Sequence, residues 1–439
     1  MNVLTSDQRL SVRAQVVALV VIALVVRVAF VVLLPHPINV EGSDAWWYMY
    51  FGKALVRAAE PHPTPAAPVY ILFVGAVASL FPEPAVIPLI QLIQAILGAL
   101  TVGLVYLLGR GVWSHGVGLI AGAVVAVSPA FVVEAANVLS ETLFIFLLMA
   151  ALVFYVWRGG DGRARTLAAL GVILGVATLT RAALLAFPAA IVLHLVMAHG
   201  WRRALRPAAA LLLAFALTLA PWTIYNLIRW DRLVIGAEGF ASFLWLGAQE
   251  AGWQGPEATD AAVGVTADDP LKDPNYAGQA VASIASDPAG YAALRLRNWA
   301  EAIIQPHNTV YYPGESLKSA SARWLAEDRS LGGLVALTQL ESFWPKLALY
   351  VFHFAGLAAG LAGMVIAARR PNGFRAAFVL YAVVGYFLSV HLVLYALPRY
   401  LFPTEAVWWL FAALALATAW EWLRARGAHR PARTPRLSH

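Results

Sequence analysis

Residues 14–50 read AQVVALVVIALVVRVAFVVLLPHPINVEGSDAWWYMY. The first 21 of them form an apolar run interrupted only by Gln15 and Arg27. About 20 such residues cross a bilayer's hydrocarbon core as a helix. The run is too long for a signal-peptide core and lacks a small-residue cleavage site, so it predicts a retained anchor. Pro35 and Pro37 end it. Glu41, Asp44 and a cluster of Trp and Tyr follow, residue types that sit at the headgroup level. Residues 44–58 suit an amphipathic helix lying in that interface, with Asp44 near its N-terminus. The plain alternative is an acidic helix cap beside an aromatic belt.

The whole chain agrees with this reading. Of 439 residues, 61% are hydrophobic and 13% charged, against about 25% charged in soluble domains. Mean hydropathy is +0.70. A soluble protein could not cover its surface this way, and a disordered chain would be poorer in apolar residues. The chain has no cysteine, which excludes disulfides, thiolate metal sites and a cysteine nucleophile.

Ten stretches predict spans: 14–34, 85–109, 116–133, 138–157, 166–181, 184–198, 207–228, 346–368, 376–397 and 402–423. The apolar segment 68–81 is short and proline-bounded, which predicts a half-inserted or interfacial helix, or an eleventh span if steep. The predicted fold class is an all-α polytopic membrane protein of ten to eleven spans. With the N-terminus in the cytoplasm, seventeen arginines fall on the inner side, the positive-inside pattern. Residues 1–228 form an N-terminal bundle with an outer loop at 35–68. Residues 229–345 form a large outer loop, 346–423 the last spans, and 424–439 a basic cytoplasmic tail. The large loop carries 14 of the 24 acids and 8 basic residues, a net charge of −6. The net charge of +7 therefore reflects topology and a tail facing anionic membrane lipids, not a nucleic-acid partner. Within the loop, 254–273 reads as irregular, 275–304 as helical with a start at Asp287-Pro288, and Tyr311 to Gly314 as a turn.

Polar residues from distant segments gather on the outer side of this topology: Glu41, Asp44, Glu134, Asn137, Glu141, Arg181 and Arg399. Taken singly, each arginine reads as snorkelling to headgroups and Glu141 as a helix-start carboxylate. An exposed rim arginine such as Arg399 is expected to add little to folding. Together, carboxylates and cationic clamps suit group transfer from a lipid phosphate, whose reacting bond lies at headgroup level. Arg27, roughly 10 Å below the outer end at 1.5 Å per residue, is expensive inside a membrane and predicts a carboxylate partner or a polar cavity. Gln91, Gln94 and His391 read as interhelical hydrogen bonders.

The order of several motifs resembles the membrane-embedded GT-C glycosyltransferases that use polyprenyl-phosphate sugars. The branch it is most similar to is the bacterial dolichyl-phosphate-mannose protein mannosyltransferase-like proteins, related to the lipid A aminoarabinose transferases. The matching pieces are Asp44 to Tyr48, Pro68-Val69-Tyr70, Ser140 to Phe144, Thr180-Arg181, Pro221-Trp222 with Tyr225-Asn226, and Arg399-Tyr400 with Pro403. Two elements depart from the family pattern. Ala66-Ala67-Pro68-Val69-Tyr70 stands where a Pro-Pro-Gly-Tyr-Pro type is common, and Tyr225 precedes Asn226 where Arg is common.

The resemblance implies a GT-C fold and an inverting transfer outside the bacterial cytoplasmic membrane, from a polyprenyl-phosphate sugar to a hydroxyl on a lipid, glycan or protein. Asp44 would be the catalytic base. Glu141 and Glu41 would be the second carboxylates, for substrate hydroxyls or a divalent cation. Arg399, Arg181 and Tyr400 would hold the donor phosphate, and Tyr70, Trp222, Asn226 and Arg27 would line the substrate pocket. The resemblance fixes no cofactor. Both metal-independent chemistry and use of Mg or Mn fit the resemblance. The rival class is a secondary transporter or lipid flippase. Such proteins show repeats and broken helices meeting at midplane, whereas here the polar residues lie at one rim.

Overall fold

The computed structural model describes residues 6–33, 43–60, 66–237, 243, 244, 247 and 276–428. Among them every regular element is helical. The N-terminal part comprises α1 (Ser6–Leu33), α2 (Asp44–Val56), α3 (Pro68–Leu80), α4 (Glu83–Val112), α5 (His115–Val127), α6 (Pro129–Glu134), α7 (Glu141–Arg158), α8 (Ala164–Thr178), α9 (Pro188–His199) and α10 (Trp201–Trp230). The segment before the last spans holds α11 (Tyr276–Ser286), α12 (Pro288–Ile304), α13 (Leu317–Glu327) and α14 (Leu331–Leu337). The C-terminal part holds α15 (Phe343–Arg369), α16 (Gly373–Ala376), α17 (Phe378–Val393), the turn α18 (Pro398–Leu401) and α19 (Glu405–Ala428).

Every expected apolar stretch is helical, but their lengths divide. Seven helical segments are long and apolar enough to cross a membrane: Val12–Leu33, Glu83–Val112, Glu141–Arg158, Ala182–His199, Trp201–Trp230, Phe343–Arg369 and Pro398–Arg426. Four are shorter: Pro68–Leu80, His115–Val127, Ala164–Thr178 and Phe378–Val393. At 1.5 Å per residue the longest of these, with 16 residues, reaches about 24 Å, less than the ~30 Å hydrocarbon core. Three of the ten expected spans are therefore truncated. The reason is local. Ser128-Pro129 breaks the run of 116–133, since a residue before proline avoids helical torsions, and the chain restarts as α6. The run of 166–181 stops at Thr178, and Arg181 is extended at φ −147° and ψ 113°.

The bundle packs through small residues, as membrane helices do. A Cβ on Gly75 would lie 2.1 Å from the Gly52 carbonyl oxygen, so α2 and α3 meet backbone to backbone. Gly360 and Gly363 of α15 take up Trp408 and Phe411 of α19 in the same way. α8 lies along α10, and α4 contacts α1, α5 and α7. Tyr106, Phe144, Phe187, Phe387 and Phe411 are fully buried in this core.

Several of the arginines expected on the inner side make contacts at one end of the bundle. Arg375 Nη2 donates to Ala198 O at 2.6 Å, Arg370 Nη2 donates to Thr418 Oγ1 at 3.4 Å, and Arg110 lies over the Trp157 ring. At the other end, the N-termini of α2 and α7 meet the α18 turn and the chain just past α8. α12 begins as expected at Asp287, whose Oδ1 accepts from Gly290 N at 2.9 Å. Glu41, the irregular 254–273 and the tail beyond Ala428 lie outside the described residues.

Candidate active site

α2 brings Asp44. Ser43 Oγ caps the helix by accepting from Trp46 N at 3.3 Å. Asp44 sits in the first turn with 44% of its side chain exposed. Glu141 is the first residue of α7 and its side chain is fully buried. A buried carboxylate needs charge-assisted partners, and two arginines supply them. Arg399 Nε donates to Glu141 Oε1 at 2.5 Å, and Arg181 Nη1 pairs with the same oxygen. Arg399 Nη1 reaches Asp44 Oδ2. The result is a chain of alternating charge, Asp44–Arg399–Glu141–Arg181, drawn from four separated segments.

An aromatic floor holds the two guanidinium groups. The guanidinium carbons of Arg181 and Arg399 lie 5.7 and 5.8 Å from the Tyr400 ring centroid, and that of Arg181 also lies 5.9 Å from the centroid of Phe144. Cation–π attraction strengthens when the site is desolvated. Tyr400 is in turn stacked on His391 at 5.4 Å. His391 Nδ1 is 3.0 Å from Tyr395 O, which ties the end of α17 to the α18 turn.

Behind Asp44, Tyr48 OH donates to Ser140 Oγ at 3.5 Å, and its ring meets Tyr70 edge-on at 4.8 Å. Burial, and then the charges of Asp44 and Glu141, push the Tyr48 hydroxyl above its ordinary range, so it remains a proton-bearing donor at neutral pH. Tyr70 OH donates to Gln94 Oε1 at 2.7 Å. Gln94 Nε2 donates to Asn137 O at 2.6 Å, and Gln91 Nε2 to Ala136 O at 2.8 Å. These two glutamines fix the turn that leads into Glu141.

The structure thus brings Asp44, Glu141, Arg181, Arg399 and Tyr400 together, with Tyr70 one layer behind. It does not bring the other expected pocket residues there. Arg27 is fully buried and donates to Ala23 O, Ala126 O and Val125 O at 2.9–3.1 Å. Its partners are the last carbonyls of α5 and a turn of its own helix, not the carboxylate or polar cavity that its position predicts. Trp222 and Asn226 form a second patch, where Trp222 stacks on Tyr225 at 5.4 Å and Tyr225 OH donates to Glu60 Oε1 at 2.5 Å. Arg399 is also not a free rim side chain, because two carboxylates engage it.

A second cluster, which the sequence reading did not assemble, is built around Glu134. Glu134 Oε2 is 3.0 Å from His307 Nε2 and accepts from Asn137 Nδ2 and Asn308 Nδ2, both at 3.1 Å. It fastens the segment after α12 to the turn before α7. The partners are 173 residues apart, and neither flank carries a local motif.

Among the described residues the carboxylates are not set around a divalent cation. Asp44 and Glu141 share Arg399 rather than facing each other, so a metal between them would have to displace an arginine. Among the described residues, no group of three His, Asp or Glu side chains is arranged to hold a metal.

The family model for dolichyl-phosphate-mannose-protein mannosyltransferases matches residues 62–225. In fold, the chain is similar to the archaeal oligosaccharyltransferase AglB from Archaeoglobus fulgidus, solved with an inhibitory peptide and a dolichol-phosphate. That match covers 96% of this chain and 52% of that one, at 18% identity and a TM-score of 0.53. The complex of the Archaeoglobus fulgidus enzyme with Zn and sulfate matches over 93% and 50%, at 17% identity and 0.55. The chain spans about half the length of these structures. No curated protein matches it significantly. The GT-C fold implied by the sequence resemblance is the fold found.

Proposed function

We propose that the chain is an inverting glycosyltransferase that moves a sugar from a polyprenyl-phosphate donor to an acceptor hydroxyl, at the outer face of the cytoplasmic membrane. The observation that carries this reading is the meeting of Asp44 and Glu141 on the one guanidinium of Arg399. Sidedness is supported by the arginines at the opposite end of the bundle.

The arrangement suggests an order of events. A donor phosphate entering beside Arg181 and Arg399 offers charge-assisted hydrogen bonds that compete with the Asp44 pair. Arg399 turns to the phosphate and the Asp44 carboxylate is released. Asp44 then takes the proton of the acceptor hydroxyl while the acceptor oxygen bonds to the anomeric carbon. The bond from that carbon to the phosphate oxygen breaks on the opposite face, and its electron pair leaves with polyprenyl phosphate. The two guanidinium groups stabilise the charge developing there. Glu141, held between them, keeps their geometry and offsets their mutual repulsion.

The test is transfer in liposomes containing a polyprenyl-phosphate sugar, followed by mass spectrometry of released polyprenyl phosphate. In parallel, glycans and glycolipids are compared between cells lacking the protein and cells carrying Asp44→Asn. Release by the wild type and its loss in Asp44→Asn supports the reading. Equal release by both removes Asp44 from the chemistry.

A further inference from the structure

α2 ends in a turn that carries a carboxylate to α10. Ala58 is left-handed at φ 49°. Ala58 N donates to Leu55 O at 3.1 Å and Ala59 N to Ala54 O at 3.0 Å, the pair of bonds that closes a helix C-terminus and turns the chain. Glu60 follows, only 5% exposed, and its Oε1 accepts from Tyr225 OH at 2.5 Å. The Tyr225 ring stacks on Trp222 with 13° between the planes. Asn226 is one turn beyond Trp222 and donates from Nδ2 to Trp222 O at 2.8 Å. Contact by contact, these four residues form one cluster, at the end of α10 away from Arg202, Arg203 and Arg206.

Three polar atoms of the cluster are left over. Glu60 Oε2, Trp222 Nε1 and Asn226 Oδ1 are buried without a hydrogen-bond partner among the described residues. Trp222 is 7% exposed and Asn226 fully buried. Such atoms cost free energy while unpaired, a carboxylate oxygen most of all. The two oxygens select a cation that carries N–H groups. One carboxylate and one amide oxygen are too few for a divalent ion. A primary ammonium has three donors. Glu60 Oε2 and Asn226 Oδ1 accept from it, and the stacked rings offer the cation a π face. The third atom is opposite in kind: Trp222 Nε1 can only donate, so it asks for an acceptor beside the ammonium. Arg229 is exposed one turn beyond Tyr225 and adds a positive charge for that acceptor. Ile224 and Ile228 are 52% and 81% exposed, the lipid-facing side of a long apolar helix. An ammonium, a phosphodiester next to it and acyl chains are the parts of an ethanolamine phospholipid.

We propose that Glu60, Trp222, Tyr225 and Asn226 hold the headgroup of an ethanolamine phospholipid from the surrounding bilayer. The ammonium sits on Glu60 Oε2 and Asn226 Oδ1, and the phosphate takes the Trp222 indole N–H and Arg229. Asp44 begins α2 and Glu60 lies just past its end, so the bound lipid fastens the far end of the Asp44 helix to α10. Lipid binding is read without any transfer step, so the site stands apart from the transferase reading.

The probe is palmitoyl-oleoyl phosphatidylethanolamine, added to the delipidated full chain in detergent, with the phosphatidylcholine of the same chains as control. A quaternary ammonium has no N–H for either oxygen. Native mass spectrometry measures bound lipid and thermal unfolding its stabilising effect. The wild type is expected to bind the ethanolamine lipid about tenfold more tightly, the scale of one charge-assisted hydrogen bond, and to melt higher with it than with the choline lipid. Glu60→Gln keeps an acceptor for Tyr225 but removes the charge, so the preference should disappear. Tyr225→Arg supplies Glu60 with a cation from within the chain and should also abolish the preference, which keeps the test valid if the glutamine variant folds poorly. Equal binding of the two lipids by the wild type overturns the proposal. A preference that survives in either folded variant overturns it too.

Discussion

Arg399 Nε donates to Glu141 Oε1 at 2.5 Å although 258 positions separate the two residues. With its Nη1 on Asp44, this one side chain ties the last helical hairpin to both acidic helix starts. Only 27% of the Arg399 side chain is exposed, and none of Glu141. The pair is therefore structural, whatever the proposed donor phosphate draws from it.

Arg399→Ala should accordingly cost stability, contrary to what a free rim arginine would do. It leaves the buried Glu141 with Arg181 as its one cationic partner beside the Ser140 hydroxyl, a loss of about 1–3 kcal/mol by the rule for buried polar groups left short of partners. Thermal unfolding in detergent should show a clear drop, and donor binding should weaken about tenfold or more. Arg399→Lys should recover only part of both, because an ammonium is a point charge and cannot fork between Asp44 and Glu141. An unchanged melting temperature in Arg399→Ala would mean that Glu141 finds other partners.

Asp44→Asn separates chemistry from structure. Asp44 is half-exposed, and the amide keeps its shape and one acceptor oxygen for Arg399. Folding and donor binding should be largely kept. Turnover should fall by roughly two to four orders of magnitude, the usual contribution of a general base. Full turnover would move the role to another group, Glu41 being the first to test.

Much of this was readable in the sequence because membrane helices write their length and polarity plainly. Asp44, Glu141, Arg181 and Arg399 were placed together by one rule, alternation of spans, and the packed chain brings them into contact. Tertiary partners were not readable. Arg27 promised a carboxylate, yet finds the carbonyls that α5 leaves unpaired where Ser128-Pro129 ends it. That end depends on a local break inside an apolar run, which periodicity does not register. His307 meets Glu134 through a loop whose path no hydrophobic pattern encodes.

Arg27 should behave as a structural residue. Arg27→Leu leaves the carbonyls of Val125 and Ala126 without its hydrogen bonds, each worth about 1–3 kcal/mol when buried and unpaired. A large fall in melting temperature with an unchanged KM for donor is expected. Gly98→Ala should act the same way more mildly, because its Cβ would sit 2.7 Å from Arg27 Nε. A selective rise in KM with normal stability would return Arg27 to the substrate pocket.

His307→Ala should loosen the segment after α12 from the bundle. Its Nε2 faces Glu134 at 3.0 Å and its ring lies 4.5 Å from Phe402. Amide hydrogen exchange around 305–312 should accelerate, since local opening follows lost buried contacts. Equal rates in the variant and wild type would show that Asn308 alone suffices as the anchor.

Sidedness is tested cleanly because the chain has no cysteine of its own, so one introduced thiol reports one position. Gly160 suits the arginine-rich end, since a Cβ there meets nothing within 4 Å. Gly332 suits the segment between α13 and α15, where the nearest atom is Ser330 Oγ at 3.8 Å. In intact spheroplasts a membrane-impermeant maleimide should label Gly332→Cys and spare Gly160→Cys until the cells are lysed. The motive is the excess of arginine on the Gly160 side, the side that the positive-inside rule expects in the cytoplasm. The reverse labelling would put the Asp44–Arg399 cluster on the cytoplasmic face and sink both the topology and the outer-face transfer.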